Sequence, residues 1–259
     1  MAKKHDIIWL KSVDSTNNEC RRRISDMDNL SVMSAVSQTG GRGQEGNSWL
    51  SAPGQNLTFS VVLKFPVNGH IGEIEPMQAY DQFAISAIAS LSVVDLLSEH
   101  DIQAKIKWPN DIYVGNNKIC GMLIENSLRG EWISNSIIGI GLNVNQRNFD
   151  VTLPNPTSMA LCSPVPDRTF DLNALLDEFM NIFKGYIDRY CHIRGGYGRL
   201  RQLYHAQLWR KDIPTKFLDK ESCEFTAIIR GVNEKGCLLA ETPEGIVKEF
   251  SYKEIVYVI

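Results

Sequence analysis

The chain has 259 residues, of which 43% are apolar and 22% charged, and its formal net charge is -3. This length allows one large domain with a small appendage, and the composition excludes a disordered or fibrous chain. The charge provides no general basic field for nucleic-acid phosphates, so no DNA binding is expected. No stretch is expected to reach the ~20 apolar residues of a membrane span.

The six cysteines are scattered along the chain and form no Cys-x-x-Cys pair. Such spacing favours neither a zinc site nor a disulfide framework. The cysteines are therefore interpreted as reduced thiols, which predicts a cytoplasmic protein.

The first part of the chain shows apolar runs of strand type and two helical patterns. The segment DSTN at 14–17, with Glu19 three places after Thr16, has the form of a capping box and predicts a helix start. Apolar residues at helical spacing predict a second helix from Ala79 to Leu97. Strands are predicted at Ile7–Leu10, Val32–Ser37 and Leu57–Phe65.

The middle of the chain predicts a hairpin, a further strand and a helix. A tight turn at 115–117 should join the hairpin strands, and residues 145–167, with four prolines, should form an irregular surface excursion. The predicted strand segments are Lys105–Trp108, Ile112–Val114, Lys118–Glu125 and Glu131–Val144, and the helix is Leu172–Tyr190.

Beyond about Trp209 the pattern changes to short alternating strands separated by Gly, Asn and Pro turns. The strands are predicted at Ser222–Arg230, Cys237–Glu241, Ile246–Phe250 and Glu254–Val258. The chain is therefore predicted to be an α+β protein, with a mixed-sheet domain over 1–209 and a small β-barrel over 210–259.

The loop from Gln38 to Trp49 places four glycines around Arg42, between two predicted strands. Glycines permit close backbone approach to an anion, and an arginine supplies a planar cationic fork, so phosphate or carboxylate is a natural guest. A flexible surface hairpin explains the glycines equally well. Trp49 could close over a planar ligand or belong to the core.

A second segment, 107–125, places two lysines and two carboxylates around one hairpin. Strand alternation predicts Lys118 on one face with Cys120 and Met122, while Gly121 leaves space on the other face. A lysine among apolar neighbours is costly unless paired. Lys118 is therefore either a surface lysine with a partly buried stem or a functional cation.

A third segment, 137–145, separates large and small side chains by strand alternation. Ile138, Ile140, Leu142 and Val144 fall on one face, whereas Gly139, Gly141, Asn143 and Asn145 fall on the other. The first face should pack in the core, and the second leaves room for a guest that the amides could bind. A bulged strand with turn-forming asparagines is the alternative.

These segments together resemble the biotin protein ligases. The DSTN segment, the GRG loop with Trp49, the KWPND block at 107–111, the KxxGxxxE block at 118–125 and the GxNxN strand at 141–145 follow the family's order. The resemblance covers residues 14 to about 145 and implies a mixed-sheet catalytic domain of the biotin/lipoate ligase type. The C-terminal strands fit the family's small SH3-like β-barrel.

The resemblance implies a two-step reaction. Biotin and ATP form biotinyl-5'-AMP and pyrophosphate, and the biotinyl group then passes to one lysine of a biotin carboxyl carrier protein, or of the carrier domain of a biotin-dependent carboxylase. Mg²⁺ would accompany ATP, with no fixed metal site in the protein.

The resemblance also assigns residues. Arg42 and Lys118 are the implied catalytic cations, and Asp111 is a candidate base and a candidate contact for the metal ion. Implied nucleotide contacts are Trp49, Asn110, Asn143 and Lys118. Implied biotin contacts are Ser15, Thr16, Asn17, Gln38, Gly41, Arg42, Gly43, Gln44, Lys118, Gly121 and Gly141.

Two departures from the family pattern are expected to matter. Known members carry a second arginine two places after the first in the GRG loop, where this chain has Gln44, followed by Glu45. Only 13 residues precede Asp14, so a monofunctional ligase without the DNA-binding domain of the repressor members is expected, as a monomer or homodimer.

Two other functions stay open at this stage. A lipoate or octanoate ligase of the same superfamily shares the fold, although the KWPND and GRG blocks argue against it. A non-catalytic biotin-binding regulator would keep Ser15 to Asn17 without needing Lys118.

Overall fold

The computed structural model describes residues 6–66, 74–191 and 197–259, and for Glu45 the backbone alone. Within these ranges the chain forms twelve strands and five α-helices. The strands are β1 Ile7–Leu10, β2 Val32–Ala35, β3 Leu57–Lys64, β4 Lys105–Lys107, β5 Asp111–Val114, β6 Asn117–Arg129, β7 Trp132–Leu142, β8 Pro214–Asp219, β9 Glu224–Val232, β10 Leu238–Glu241, β11 Val247–Phe250 and β12 Ile255–Tyr257. The helices are α1 Thr16–Arg22, α2 Phe83–Glu99, α3 Met159–Cys162, α4 Leu172–Tyr190 and α5 Tyr197–Ala206.

A seven-stranded mixed sheet in the order β1-β2-β3-β7-β6-β5-β4 forms the frame of the larger part. Only the β1–β2 pair among these strands is parallel, and the other pairs are antiparallel. The long central strands β3, β7 and β6 bring Ser60 opposite Gly139 and Gly121 opposite Gly141. This register places Ser60, Gly121, Gly139 and Gly141 together on one face of the sheet, and these four residues form its small-residue area.

The two faces of the sheet are covered differently. Helices α2 and α4 pack on the face that carries Ile138 and Ile140, where Phe59 meets Phe179 edge to face with ring centroids 5.1 Å apart. The short helix α1 packs on the other face over a smaller apolar cluster that includes Cys20 and Val62. The prediction that one face of β7 enters the core is therefore confirmed.

Helix α2 corrects the expectation that no stretch approaches membrane-spanning length. The helical region Ala79–Glu99 is 21 residues long, and by length and composition it is apolar enough to cross a membrane. However, 67% of its most apolar stretch is buried inside the protein. Its apolar character is explained by its central place between the sheet and two other helices.

Several sequence predictions need correction. The N-cap of α1 is Ser15, whose side chain makes no capping hydrogen bond, so the predicted Thr16–Glu19 capping box is wrong. The excursion 145–167 contains α3, with Met159 and Ala160 buried. Helix α5 and strand β8 were not predicted. In α5 only Leu200 and Tyr204 are buried, which leaves a weak periodic signal.

The C-terminal strands form a second antiparallel sheet in the order β11-β10-β9-β8-β12. Its edge strands do not pair with each other, so the predicted SH3-like barrel is present as an open sheet. Within this sheet the Phe217 and Tyr257 rings pack with their centroids 4.9 Å apart. Trp108 Nε1 of the larger part donates to the Gly236 carbonyl of the C-terminal part at 2.8 Å. One apolar core runs through both parts, and the division at residue 210 stays a prediction.

Candidate active site

A pocket lies between α1, the glycine loop and the small-residue area of β6 and β7. Its walls include ten of the eleven predicted biotin contacts, all except Gly41. These ten are Ser15, Thr16, Asn17, Gln38, Arg42, Gly43, Gln44, Lys118, Gly121 and Gly141.

Gly41 has a different place in the loop. A side chain there would put its Cβ 2.4 Å from the carbonyl oxygen of Trp49, and the Trp49 amide donates to the Gly41 carbonyl at 3.0 Å. The missing Cβ thus lets the two ends of the loop close on each other. Its role as a biotin contact stays a prediction.

The closed end of the pocket carries a buried polar network. Gln38 Oε1 accepts from the Thr16 backbone amide at 2.8 Å, and Ser60 Oγ lies 2.7 Å from Thr16 Oγ1 and 2.6 Å from Asn17 Oδ1. The Asn17 amide donates to the carbonyl of Leu123 at 3.1 Å. Side chains held this way present donors and acceptors in fixed directions.

Ser60 is a site-building residue that sequence reasoning missed. It is fully buried in β3 and bonds two of the predicted biotin contacts. The sequence did contain a signal for it, since two residues with hydroxyl groups, Thr58 and Ser60, occupy alternate positions of a mostly apolar strand. Buried hydroxyls need partners: Thr58 donates to the Ala35 carbonyl in β2, whereas Ser60 bonds Thr16 and Asn17 in α1.

Arg42 lies at the mouth of the pocket. Its guanidinium donates to Asn18 Oδ1 at 2.9 Å and pairs with the Glu125 carboxylate at 3.2 Å. Burial tends to raise the pKa of Glu125, but the hydrogen bond from Asn17 and the charges of Arg42 and Arg21 outweigh it and hold the pKa below its usual value. Glu125 is therefore ionised at neutral pH.

Lys118 and Asp111 form an ion pair at 2.7 Å on the opposite wall. The strand alternation predicted for Lys118 is wrong, because a bulge leaves Ile119 without a partner on β5. The bulge turns Lys118 away from the buried Cys120 and lays its Cε and Nζ beside Gly121, where an added Cβ would be 3.1 and 3.2 Å from them. The lysine thus lines the pocket, with its side chain 33% exposed.

Trp49 separates this pocket from a second one. Its indole covers Gly141 so closely that a Cβ there would lie 2.3 Å from Trp49 Cε2, and Lys118 Nζ is 5.8 Å from a Trp49 ring centroid. The second pocket shares Trp49, Asp111 and Lys118 with the first and adds Asn143 and Tyr113. The two pockets therefore meet at Lys118.

Beside the second pocket, two buried polar atoms have no hydrogen-bond partner among the described residues. Trp49 Nε1 is a donor and Asn143 Oδ1 an acceptor, while Asn143 Nδ2 donates to the Thr157 carbonyl at 2.9 Å. Orphaned buried groups are costly unless a ligand or water completes them. Their chemistry fits a planar ligand with both donors and acceptors, such as a nucleotide base.

The cysteines take no part in this chemistry. All six thiols are free, and burial raises the pKa of Cys20 and of Cys191 to about 12, which keeps both protonated. Over residues 6–66, 74–191 and 197–259, no three His, Cys, Asp or Glu side chains cluster as metal ligands. The site depends on cations, amides and hydroxyls.

Residues 9–143 match the family model for the Biotin/lipoate A/B protein ligase family. The chain belongs to this family. A similar relative is the bifunctional ligase/repressor BirA of Bacillus subtilis, 29% identical over 95% of this chain and 71% of that protein. The biotin--[acetyl-CoA-carboxylase] ligase of Paracoccus denitrificans is 25% identical over 91% of this chain and 94% of its own.

The fold of this member of the biotin/lipoate ligase family is also similar to that of solved structures. The biotin protein ligase of Aquifex aeolicus, determined in complex with biotin and ATP, superimposes with a TM-score of 0.77. The two sequences are 26% identical, and the superposition covers 98% of each chain. The similarity thus extends through the C-terminal sheet as well as the residues that match the family model.

Proposed function

We propose that this protein activates biotin with ATP and transfers the biotinyl group to a lysine of a biotin carboxyl carrier protein or domain. The observation that carries the proposal is the pair of pockets that meet at Lys118. One ends in fixed amides and hydroxyls, which suit the donors and acceptor of a ureido ring, and the other offers Trp49 and Asn143 to a nucleotide.

In the first step a biotin carboxylate oxygen attacks the α-phosphorus of ATP. The new C–O–P linkage forms as the bond to the bridging oxygen of the β-phosphate breaks, and pyrophosphate leaves. Negative charges come together in this step, so its rate depends on preorganised cations. Lys118 lies at the junction of the two pockets and Arg42 at the mouth of the first, where they can stabilise this charge.

In the second step the neutral amine of the acceptor lysine attacks the acyl carbon of biotinyl-5'-AMP. An amide bond forms, the bond to the phosphate oxygen breaks, and AMP leaves. The amine, with a free pKa of roughly 10.4, must lose a proton. Asp111 is the proposed acceptor, since its carboxylate lies at this junction in the ion pair with Lys118.

ATP brings Mg²⁺ to such a reaction, and the ion would neutralise phosphate charge. Asp111 is the one carboxylate that lines both pockets among the described residues, which suits an ion carried mainly by the nucleotide.

Exchange of labelled pyrophosphate into ATP tests the substrate. We expect exchange with biotin and none above background with lipoate or octanoate, because neither presents a ureido group to Asn17 and Gln38. Lipoate-driven exchange without biotin-driven exchange would assign the protein to the lipoate branch of its family. Tight biotin binding without any exchange would indicate a regulator.

Gln44 gives a prediction about the intermediate. It lines the pocket where known members have an arginine, and its Oε1 is buried with no hydrogen-bond partner in the part of the chain that the structure describes. We expect Gln44→Arg to slow the release of biotinyl-5'-AMP several-fold, because a cation there would attract the phosphate, while pyrophosphate exchange changes little.

Rapid filtration of preformed, labelled intermediate measures that release. Gln202→Arg on the exposed side of α5 adds the same charge far from the pocket and should leave release unchanged. An unchanged rate in Gln44→Arg would show that this position does not govern retention.

A further inference from the structure

The Glu125 carboxylate joins three segments of the site that are distant in the chain. It accepts Asn17 Nδ2 at 2.9 Å, Arg21 Nη2 at 2.5 Å and Arg42 Nη2 at 3.2 Å. Asn17 and Arg21 belong to α1, Arg42 to the glycine loop and Glu125 to β6. Glu125 itself is not among the residues that line the pocket, so any effect on a ligand must act through these neighbours.

The environment makes these contacts strong. The Glu125 side chain is 23% exposed, whereas Arg21, on its outer side, is 54% exposed. Hydrogen bonds to an ionised carboxylate are shorter and stronger than those between neutral groups, and partial burial protects them from screening. The inner contacts, to Asn17 and Arg42, are those that can influence the pocket.

Glu125 fixes which way the Asn17 amide points. The Asn17 nitrogen donates to the Leu123 carbonyl and to Glu125, so its oxygen faces Ser60. A neutral or missing partner at 125 would remove the strongest acceptor for that nitrogen. The orientation of a predicted head-group contact therefore depends on this carboxylate.

Glu125 also sets the resting position of Arg42. The guanidinium lies against Glu125 and Asn18 instead of extending into solvent, although it is 39% exposed. A long, flexible cation loses much rotamer freedom on binding an anion, and holding it beforehand reduces that loss. The carboxylate thus keeps Arg42 at the pocket mouth before a ligand arrives.

We propose that Glu125 is a positioning residue, which orients the Asn17 amide and holds the Arg42 guanidinium for the biotin carboxylate. This inference rests on the proposed function for the identity of the ligand. It predicts an effect on biotin affinity that ATP affinity does not share.

The test is pyrophosphate exchange by Glu125→Gln, with biotin varied at saturating ATP and then ATP varied at saturating biotin. We expect the KM for biotin to rise about tenfold or more, as the loss of a charge-assisted hydrogen bond would produce. The KM for ATP should stay within about threefold. Because Glu125 acts through Arg42, Glu125→Gln combined with Arg42→Gln should fall well short of the product of the single effects.

Arg21→Ala is the matched control, because it removes the outer partner of Glu125 and leaves both inner contacts. It should change neither KM by more than about threefold. If Glu125→Gln does not fold, Glu125→Asp carries the same expectation, since the shorter side chain withdraws the charge from Asn17 and Arg42.

Three results would overturn the inference: an unchanged biotin KM, equal rises in both KM values, or full multiplicativity in the double variant. Absence of biotin-driven exchange in the wild-type protein would instead refute the proposed function.

Discussion

Replacement of Lys118 by glutamine is expected to slow biotin adenylation by about 10²–10³-fold, the loss that follows removal of one preorganised charge stabiliser. Lys118 stands where the two pockets meet, and a β-bulge turns it toward the ligand side of the sheet. Its charge should matter most as negative charge gathers on the transferring phosphate. The loss should therefore fall on kcat for pyrophosphate exchange more than on the KM for biotin.

Lys105→Gln is a suitable control. Lys105 is an exposed lysine on β4 that bonds Gln207 at 2.8 Å, away from both pockets, and its loss should leave exchange unchanged. Thermal unfolding of both variants separates catalysis from stability, since Lys118→Gln also leaves Asp111 without its ion pair. Normal adenylation by a folded Lys118→Gln variant would remove Lys118 from the catalytic assignment.

Gly139→Ala is expected to weaken biotin binding by about 100-fold or more, since the added methyl overpacks a site that cannot yield. The new Cβ would lie 2.3 Å from Asn17 Oδ1 and 2.9 Å from its Cγ. Asn17 is held by Ser60, Leu123 and Glu125, so it cannot move away without losing several hydrogen bonds. Biotin titration calorimetry measures the effect directly.

Gly185→Ala provides the contrast for the same chemical change. Gly185 is exposed on α4, and no atom of the described residues lies within 4 Å of an added Cβ. Alanine there should therefore stabilise the helix by about 0.5–1 kcal/mol and leave biotin affinity unchanged. A Gly139→Ala variant that bound biotin within a few-fold of wild type would show that Asn17 is not part of the biotin site.

The parts of the site that follow from local pattern could be predicted from the sequence. Alternation alone separated Ile138 and Ile140 from Gly139 and Gly141, and the structure places the first pair in the core and the second pair beside the pocket. Leu172–Tyr190 was predicted from its 3.6-residue period with the bounds that the structure gives. Strong periodicity over many residues leaves few alternative structures.

Features that depend on distant partners were beyond such reasoning. The bulge that turns Lys118 toward Gly121 is set by pairing with β5, and strict alternation from Cys120 gave the wrong face. Ser60 and Glu125 gain their significance only from α1 and the glycine loop. Contacts of this kind leave no periodic trace in the sequence, because their geometry is fixed by how the sheet brings separate segments together.

The hydrogen bond between Asn17 and Glu125 joins residues 108 positions apart. Closing so long a span is entropically demanding, and contacts of this range slow folding. During synthesis, the ribosome must release α1 long before β6 exists to meet it. A growing chain in which β6 has not yet been made therefore lacks the Asn17–Glu125 contact, and we expect biotin affinity to appear only when the central strands have assembled.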